Sequence, residues 1–223
     1  MSLKLLLNAF VKFTLGILMA GMLIFIPAGT LLFPSAWLLI KILFIPMFFA
    51  GIIMMLKNPE LLKKRLEIKE NQTEQKYVVA ASSLIFIIGF IIAGLNFRFK
   101  WHILPKSVII TASIVFIVSY ILFGEVLREN TFVSRTIKIE KNQIVIDTGL
   151  YSVVRHPMYS ASILMFLSIP LILGSLYSFV VFLIYPVLII IRISGEEKLL
   201  KNELTGYNDY MKKVKYRLIP YIW

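Results

Sequence analysis

Residues 149–159 read Gly-Leu-Tyr-Ser-Val-Val-Arg-His-Pro-Met-Tyr and set one of the chain's two histidines beside an arginine, between Tyr151 and Tyr159. A long apolar run follows directly. Pro157 fixes its own φ and has no N–H to lose, so it suits the first turn of a helix. Arg155 and His156 then stand at a helix mouth, where unpaired N–H groups and the positive end of the dipole favour an anionic or electron-rich ligand. A second charged group, Arg192, Glu196 and Glu197, closes the last apolar run. Arg192 and Glu196 are four residues apart and share a face if the helix continues. Ionisable residues at membrane depth are candidates for function. The same residues also suit an interfacial anchor, with Arg, His and Tyr reaching to the headgroups.

The elements that must position these groups are membrane helices. The chain has 223 residues, 59% hydrophobic and only 16% charged, with a mean hydropathy of +0.84. A soluble domain of this size must cover itself with more polar surface than that. A hydrocarbon core about 30 Å thick needs about 20 apolar residues per helix. Residues 13–33, 36–56, 77–96 and 107–123 meet that length. The stretch 158–193 is too long for one span, and Pro170 with Gly174-Ser175 divides it into a hairpin over 159–173 and 176–193. The reading is an all-α integral membrane fold of six transmembrane helices, with five as the fallback because residues 159–173 are short. It forms one embedded domain, with a four-helix region over 1–125 and a C-terminal region over 126–223. The first apolar run continues well past the length of a signal peptide's core and should remain as a membrane helix.

The net charge of +12 lies in short loops between apolar segments. That distribution is expected from orientation and anionic headgroups and speaks against nucleic acid as the partner. With six spans, the loops richest in Lys and Arg, including Lys69, Arg135 and Lys138, face the cytoplasm with both termini. Cysteine is absent, which excludes disulfides, thiolate metal sites and a cysteine nucleophile; no metal is expected. No two glycines form G-x-G, so a soluble-type dinucleotide fingerprint is missing.

Between the spans, Asn58-Pro59-Glu60 reads as the start of a short surface helix, with Leu61, Leu62 and Leu66 on its apolar side. Residues 69–76 read as a solvated loop. Glu125, Arg128 and Glu129 carry the fourth span past the membrane. Residues 136–139 and 144–146 read as a small hairpin or an extended loop. Tyr207, Tyr210 and Arg217 read as lipid anchors, with closure over a ligand as the alternative. Because residues 159–193 fold back on themselves, their two cytoplasmic ends must be neighbours. That brings Tyr151, Arg155, His156, Tyr159, Arg192, Glu196 and Glu197 together.

Thr148-Gly149-Leu150-Tyr151, Arg155-His156-Pro157-Met158-Tyr159, the apolar hairpin, Glu196-Glu197 and Gly206-Tyr207…Tyr210…Arg217…Pro220 together resemble the isoprenylcysteine carboxyl methyltransferase family, which shares a superfamily with the phospholipid N-methyltransferases. The resemblance covers about the last 100 residues. It implies a membrane-embedded methyltransferase that uses S-adenosyl-L-methionine at the cytoplasmic face and acts on a lipidic or prenylated substrate. By position, Tyr151, His156, Pro157, Met158 and Tyr159 would contact the cofactor, and Gln143, Ile144, Val145 and Ile146 would line its pocket. The family's acidic cofactor residue falls on Glu196 or Glu197. Its substrate-side arginine falls on Arg192, with Arg155 as the second cation of the reacting site. An isoprenylcysteine-like carboxylate is the first substrate implied, and a phospholipid amine the alternative. The ending Tyr216-Arg217-Leu218-Ile219-Pro220 also resembles NADPH-dependent membrane sterol reductases, but the Cys and Lys-Tyr-Gly of those enzymes are absent here.

Overall fold

The computed structural model describes residues 3–67, 70, 73–134, 136, 137, 139 and 141–223. Lys69, Arg135 and Lys138, counted above for orientation, lie outside the described residues, as do Asn71 and Gln72. Four helices build the first half with a short fifth between them: α1 (Leu3–Ala28), α2 (Pro34–Lys57), the short α3 (Pro59–Leu66), α4 (Thr73–Phe99) and α5 (Lys106–Glu129). A 3₁₀ turn (Gly149–Ser152) then leads into α6 (Pro157–Ile172), α7 (Leu176–Phe182), α8 (Ile184–Glu203) and α9 (Tyr207–Lys213). The fold is all-α; the described residues form no strand, only an isolated bridge between Ile103 and Ser175.

Among the described residues, five segments are long and apolar enough to cross a membrane, with α7 and α8 acting as one. Their outer faces carry Leu3, Ile26 and Leu56, each at least 70% exposed, as lipid solvation permits and water would not. This is an integral membrane protein. The apolar helix α6, expected as a sixth span, is only 16 residues long, or about 24 Å at 1.5 Å per residue, and is not among the five. It tolerates that length because protein surrounds it: Tyr159, Ala161, Met165, Ile169 and Ile172 are all buried. The first part of α1 and α3 meet at one end of the bundle. There Lys12 Nζ donates to Leu66 O, capping the last turn of α3.

Local chemistry accounts for the boundaries. Asn58 Oδ1 accepts from Leu61 N at 3.1 Å, which starts α3 as the sequence predicts, and Leu61 and Leu62 are buried. Pro186 separates α7 from α8. Its missing N–H and its ring act on the residue four before it, and α7 ends at that residue, Phe182. Beneath the site, Phe86 packs edge-on against Phe166 and Phe182, at centroid distances of 4.8 and 5.1 Å.

The stretch 69–76 is not a solvated loop where it is described. Residues 73–76 open α4, and Gln75 and Glu70 are 1% and 6% exposed. Polar groups bury only when paired, and both reach Arg192 on α8. Residues 144–146, expected in a small hairpin or an extended loop, have no regular secondary structure and no ladder partner among the described residues.

Candidate active site

The site is built where α6 begins and α8 ends. Gly149 opens the 3₁₀ turn at φ +48°, a conformation that costs other residues steric strain. Thr148 Oγ1 and Leu150 N donate to the Glu129 carboxylate at 3.0 and 3.1 Å, so the end of α5 anchors the turn. A methyl group on Gly149 would run into that carboxylate. Gly149→Ala is therefore expected to destabilise the protein by about 1–3 kcal/mol in thermal unfolding. Adding Glu129→Ala should recover only the part caused by the collision.

After the turn the backbone straightens. Arg155 N donates to Tyr216 O and His156 N to Arg217 O, both at 2.9 Å, so the carboxyl-terminal strap lies along the entry to α6. Ser160 Oγ donates to Leu218 O one turn further on. Glu197, 2% exposed, ties these pieces together. Its Oε1 accepts from Arg155 Nε at 2.8 Å and lies 3.2 Å from His156 Nε2. Its Oε2 accepts from Arg217 Nε and stands 3.1 Å from Arg217 Nη2. An ionised carboxylate only accepts, so Nε2 carries the histidine proton there. Nδ1 then faces Glu196 at 4.0 Å. Arg155 Nη1 donates to Val214 O and Lys215 O at 2.8 and 2.7 Å.

Glu196, one residue earlier, is placed differently. It lines a cavity together with Gln143, Ile144, Val145, Ile146, Tyr151, Arg155, His156, Met158, Tyr159 and Arg192. Pro157 and Glu197 are not in that lining. Pro157 is buried as the first residue of α6, and Glu197 lies behind the wall. Arg192 Nε donates to Tyr159 Oη at 3.0 Å, joining the two ends of the hairpin as the topology predicts. The chain thus brings all thirteen expected residues to one place, eleven of them on the cavity wall.

Tyr207 and Tyr210 are 4% exposed and line the same cavity, which corrects their reading as lipid anchors. Tyr210 Oη donates to Tyr151 O at 2.7 Å, closing α9 over the 3₁₀ turn. Arg217 is likewise an ion-pair partner of Glu197 and not an anchor. Burial, before the nearby Glu197 and Glu196 charges, pushes the Tyr207 hydroxyl above its usual range. Burial does the same for Tyr151 and Tyr210, so all three are neutral hydroxyls at physiological pH.

Two buried side-chain atoms lack a hydrogen-bond partner among the described residues: Glu196 Oε2 and Tyr207 Oη. Buried polar atoms are nearly always paired, and both residues line one cavity. One offers an acceptor and the other a donor, which is the pair of functions a polar ligand would satisfy. Met158 Sδ lies 3.8 Å from Arg65 Nη1, which brings α3 to the rim. Sequence reasoning missed Glu70, Gln75 and Arg65, whose spacing carries no local signal, and read Glu129 as one of the charges that carry the fourth span past the membrane.

The structure is thus a membrane bundle with a polar, partly enclosed cavity at one end. Residues 101–205 match the family model of the phospholipid methyltransferases, the superfamily shared with the isoprenylcysteine carboxyl methyltransferases. The match covers just under half of the chain and is a likeness to a family of membrane methyltransferases. A search of curated proteins found no match to the chain. The matched segment contains α6, α7, α8 and both glutamates, whereas Glu70, Gln75, Tyr207 and Arg217 lie outside it.

Proposed function

We propose that the protein transfers a methyl group from S-adenosyl-L-methionine to the polar end of a lipidic acceptor, in the cavity between α6, α8 and α9. The observation that carries this reading is the pair of orphaned atoms, Glu196 Oε2 and Tyr207 Oη, on one cavity wall. Their chemistry fits the cofactor: a carboxylate suits its ammonium or ribose hydroxyls, and a hydroxyl suits its carboxylate or adenine nitrogens. Bound there, the cofactor supplies a methyl group already activated on a sulfonium. The protein's own part is placement and exclusion of water. Glu196 and Tyr207 hold, Met158 and the 143–146 segment cover, and Tyr159 with Arg192 orients the acceptor's polar end. Arg155 acts through Glu197 as a positioning residue.

The acceptors implied are an isoprenylcysteine-like carboxylate, already ionised at neutral pH, and a phospholipid amine. The basic loops support a cytoplasmic site with both termini on that side. The test is thermal unfolding of the purified protein in detergent. S-adenosylhomocysteine should raise the midpoint in proportion to its occupancy, and NADPH should leave it unchanged. Stabilisation by NADPH alone would replace this reading with the reductase.

A further inference from the structure

At the end of the bundle opposite the active site, a groove of about 430 Å³ runs between α5 and α6, from Ser107 to Val115 on one wall and from Leu171 to Leu164 on the other. It extends about 12 Å along α5 at 1.5 Å per residue. Ala112 and Ser168, each 4% exposed, form its floor, and Leu164, 46% exposed, stands at its rim. The Ser168 hydroxyl already donates to Leu164 O at 2.7 Å, so the floor offers a ligand no free donor. The groove lies within the membrane-crossing length of α5, where hydrocarbon surrounds the protein. An apolar groove there takes a hydrocarbon chain and not water.

The outer end of the groove is fastened and charged. Ile103 bridges to Ser175, and Leu104 N donates to Gly174 O at 3.2 Å, so the loop before α5 is held against the turn after α6. Lys106 opens α5 one residue before Ser107 and is exposed. No Asp or Glu occurs in residues 1–59, 75–124 or 148–195, and these stretches supply this whole end of the bundle. Arg98 and Lys100 lie there too, so the end carries cations and no carboxylate to balance them.

We infer that the groove binds an anionic phospholipid of the leaflet opposite the active site, with one acyl chain between α5 and α6 and the phosphate on Lys106. This site is separate from the methyl acceptor's. Lys106 and Glu129, which anchors the 3₁₀ turn, close opposite ends of α5, about 34 Å apart at 1.5 Å per residue. The inference therefore stands or falls independently of the proposed function. A zwitterionic lipid would bring an ammonium that these cations repel. A second copy of the chain, inserted in the same orientation, would bring the same acid-free end and set like charges against each other.

The experiment takes full-length protein, delipidated in detergent, and adds dioleoyl phosphatidylglycerol or dioleoyl phosphatidylcholine in mixed micelles. Native mass spectrometry reads the bound lipid, and unfolding midpoints without lipid check that each variant is folded. The native protein should bind phosphatidylglycerol at least about tenfold more tightly than phosphatidylcholine. Lys106→Gln should bring the two lipids within about threefold of each other, whereas Lys106→Arg, and Lys57→Gln at the other end of the bundle, should keep the preference. Thr111→Phe, at an exposed position of the groove, should weaken both lipids by at least about tenfold. Equal affinity of the native protein for the two lipids overturns the inference. So does a preference that survives Lys106→Gln or vanishes in Lys57→Gln, or lipid binding untouched by Thr111→Phe. A dimer in detergent that Thr111→Phe dissociates also overturns it, since the groove would then belong to a second copy.

Discussion

Glu197→Ala is expected to lose about 3–5 kcal/mol of stability, the cost typical of removing one partner from a buried ion pair. The carboxylate holds Arg155, His156 and Arg217 at 2.8–3.2 Å, and Arg155 and His156 are each 6% exposed. Without it, two guanidinium groups stand close together with no countercharge between them. The strap carrying Tyr216, Arg217 and Leu218 then keeps only its bonds to the entry of α6. Glu197→Gln leaves acceptor capacity but no charge and should fall between native and alanine. Chemical or thermal unfolding in detergent measures the series. An alanine variant as stable as the native protein would show that the network contributes nothing.

The neighbouring Glu196→Ala should do the opposite. Its Oε2 has no hydrogen-bond partner among the described residues and stands 4.0 Å from His156 Nδ1, so removing it should leave the fold about as stable as before. What it should lose is the ligand. A charge-assisted hydrogen bond is worth about 1.5–3 kcal/mol, so S-adenosylhomocysteine should bind about ten- to a hundredfold more weakly. Two adjacent acids are therefore expected to separate cleanly, one governing stability and the other affinity.

That separation was beyond the sequence. Consecutive residues on a helix point about 100° apart, and whether position 196 or 197 faces the cavity depends on how α8 is rotated against α6. The hairpin itself was legible, because Pro170 and Gly174-Ser175 break an apolar stretch too long for one span. From that break follows the meeting of Tyr159 and Arg192, 3.0 Å apart in the structure. The short helix after Asn58 and the helical start at Pro157 were legible for the same reason: each depends on chemistry within a few residues.

Glu70 and Gln75 were not legible, since they sit in a polar stretch that reads as solvated and their partners are distant: Arg192, 117 residues beyond Gln75, and the Ile137 N–H. Tyr207 and Tyr210 were misread for a related reason. Tyrosines beside lysines at a membrane boundary usually anchor, but Gly206, at φ +86°, turns the chain so that α9 folds back onto the 3₁₀ turn. In each case the local pattern was right about polarity and silent about the distant partner.

The most direct test is an equilibrium titration of S-adenosylhomocysteine into the native protein and the Glu196→Ala variant, with unfolding midpoints recorded for both without ligand. The account predicts saturable binding to the native protein, at least tenfold weaker binding to the variant, and equal midpoints. Equal affinities for the two proteins, or no binding to the native one, would contradict it.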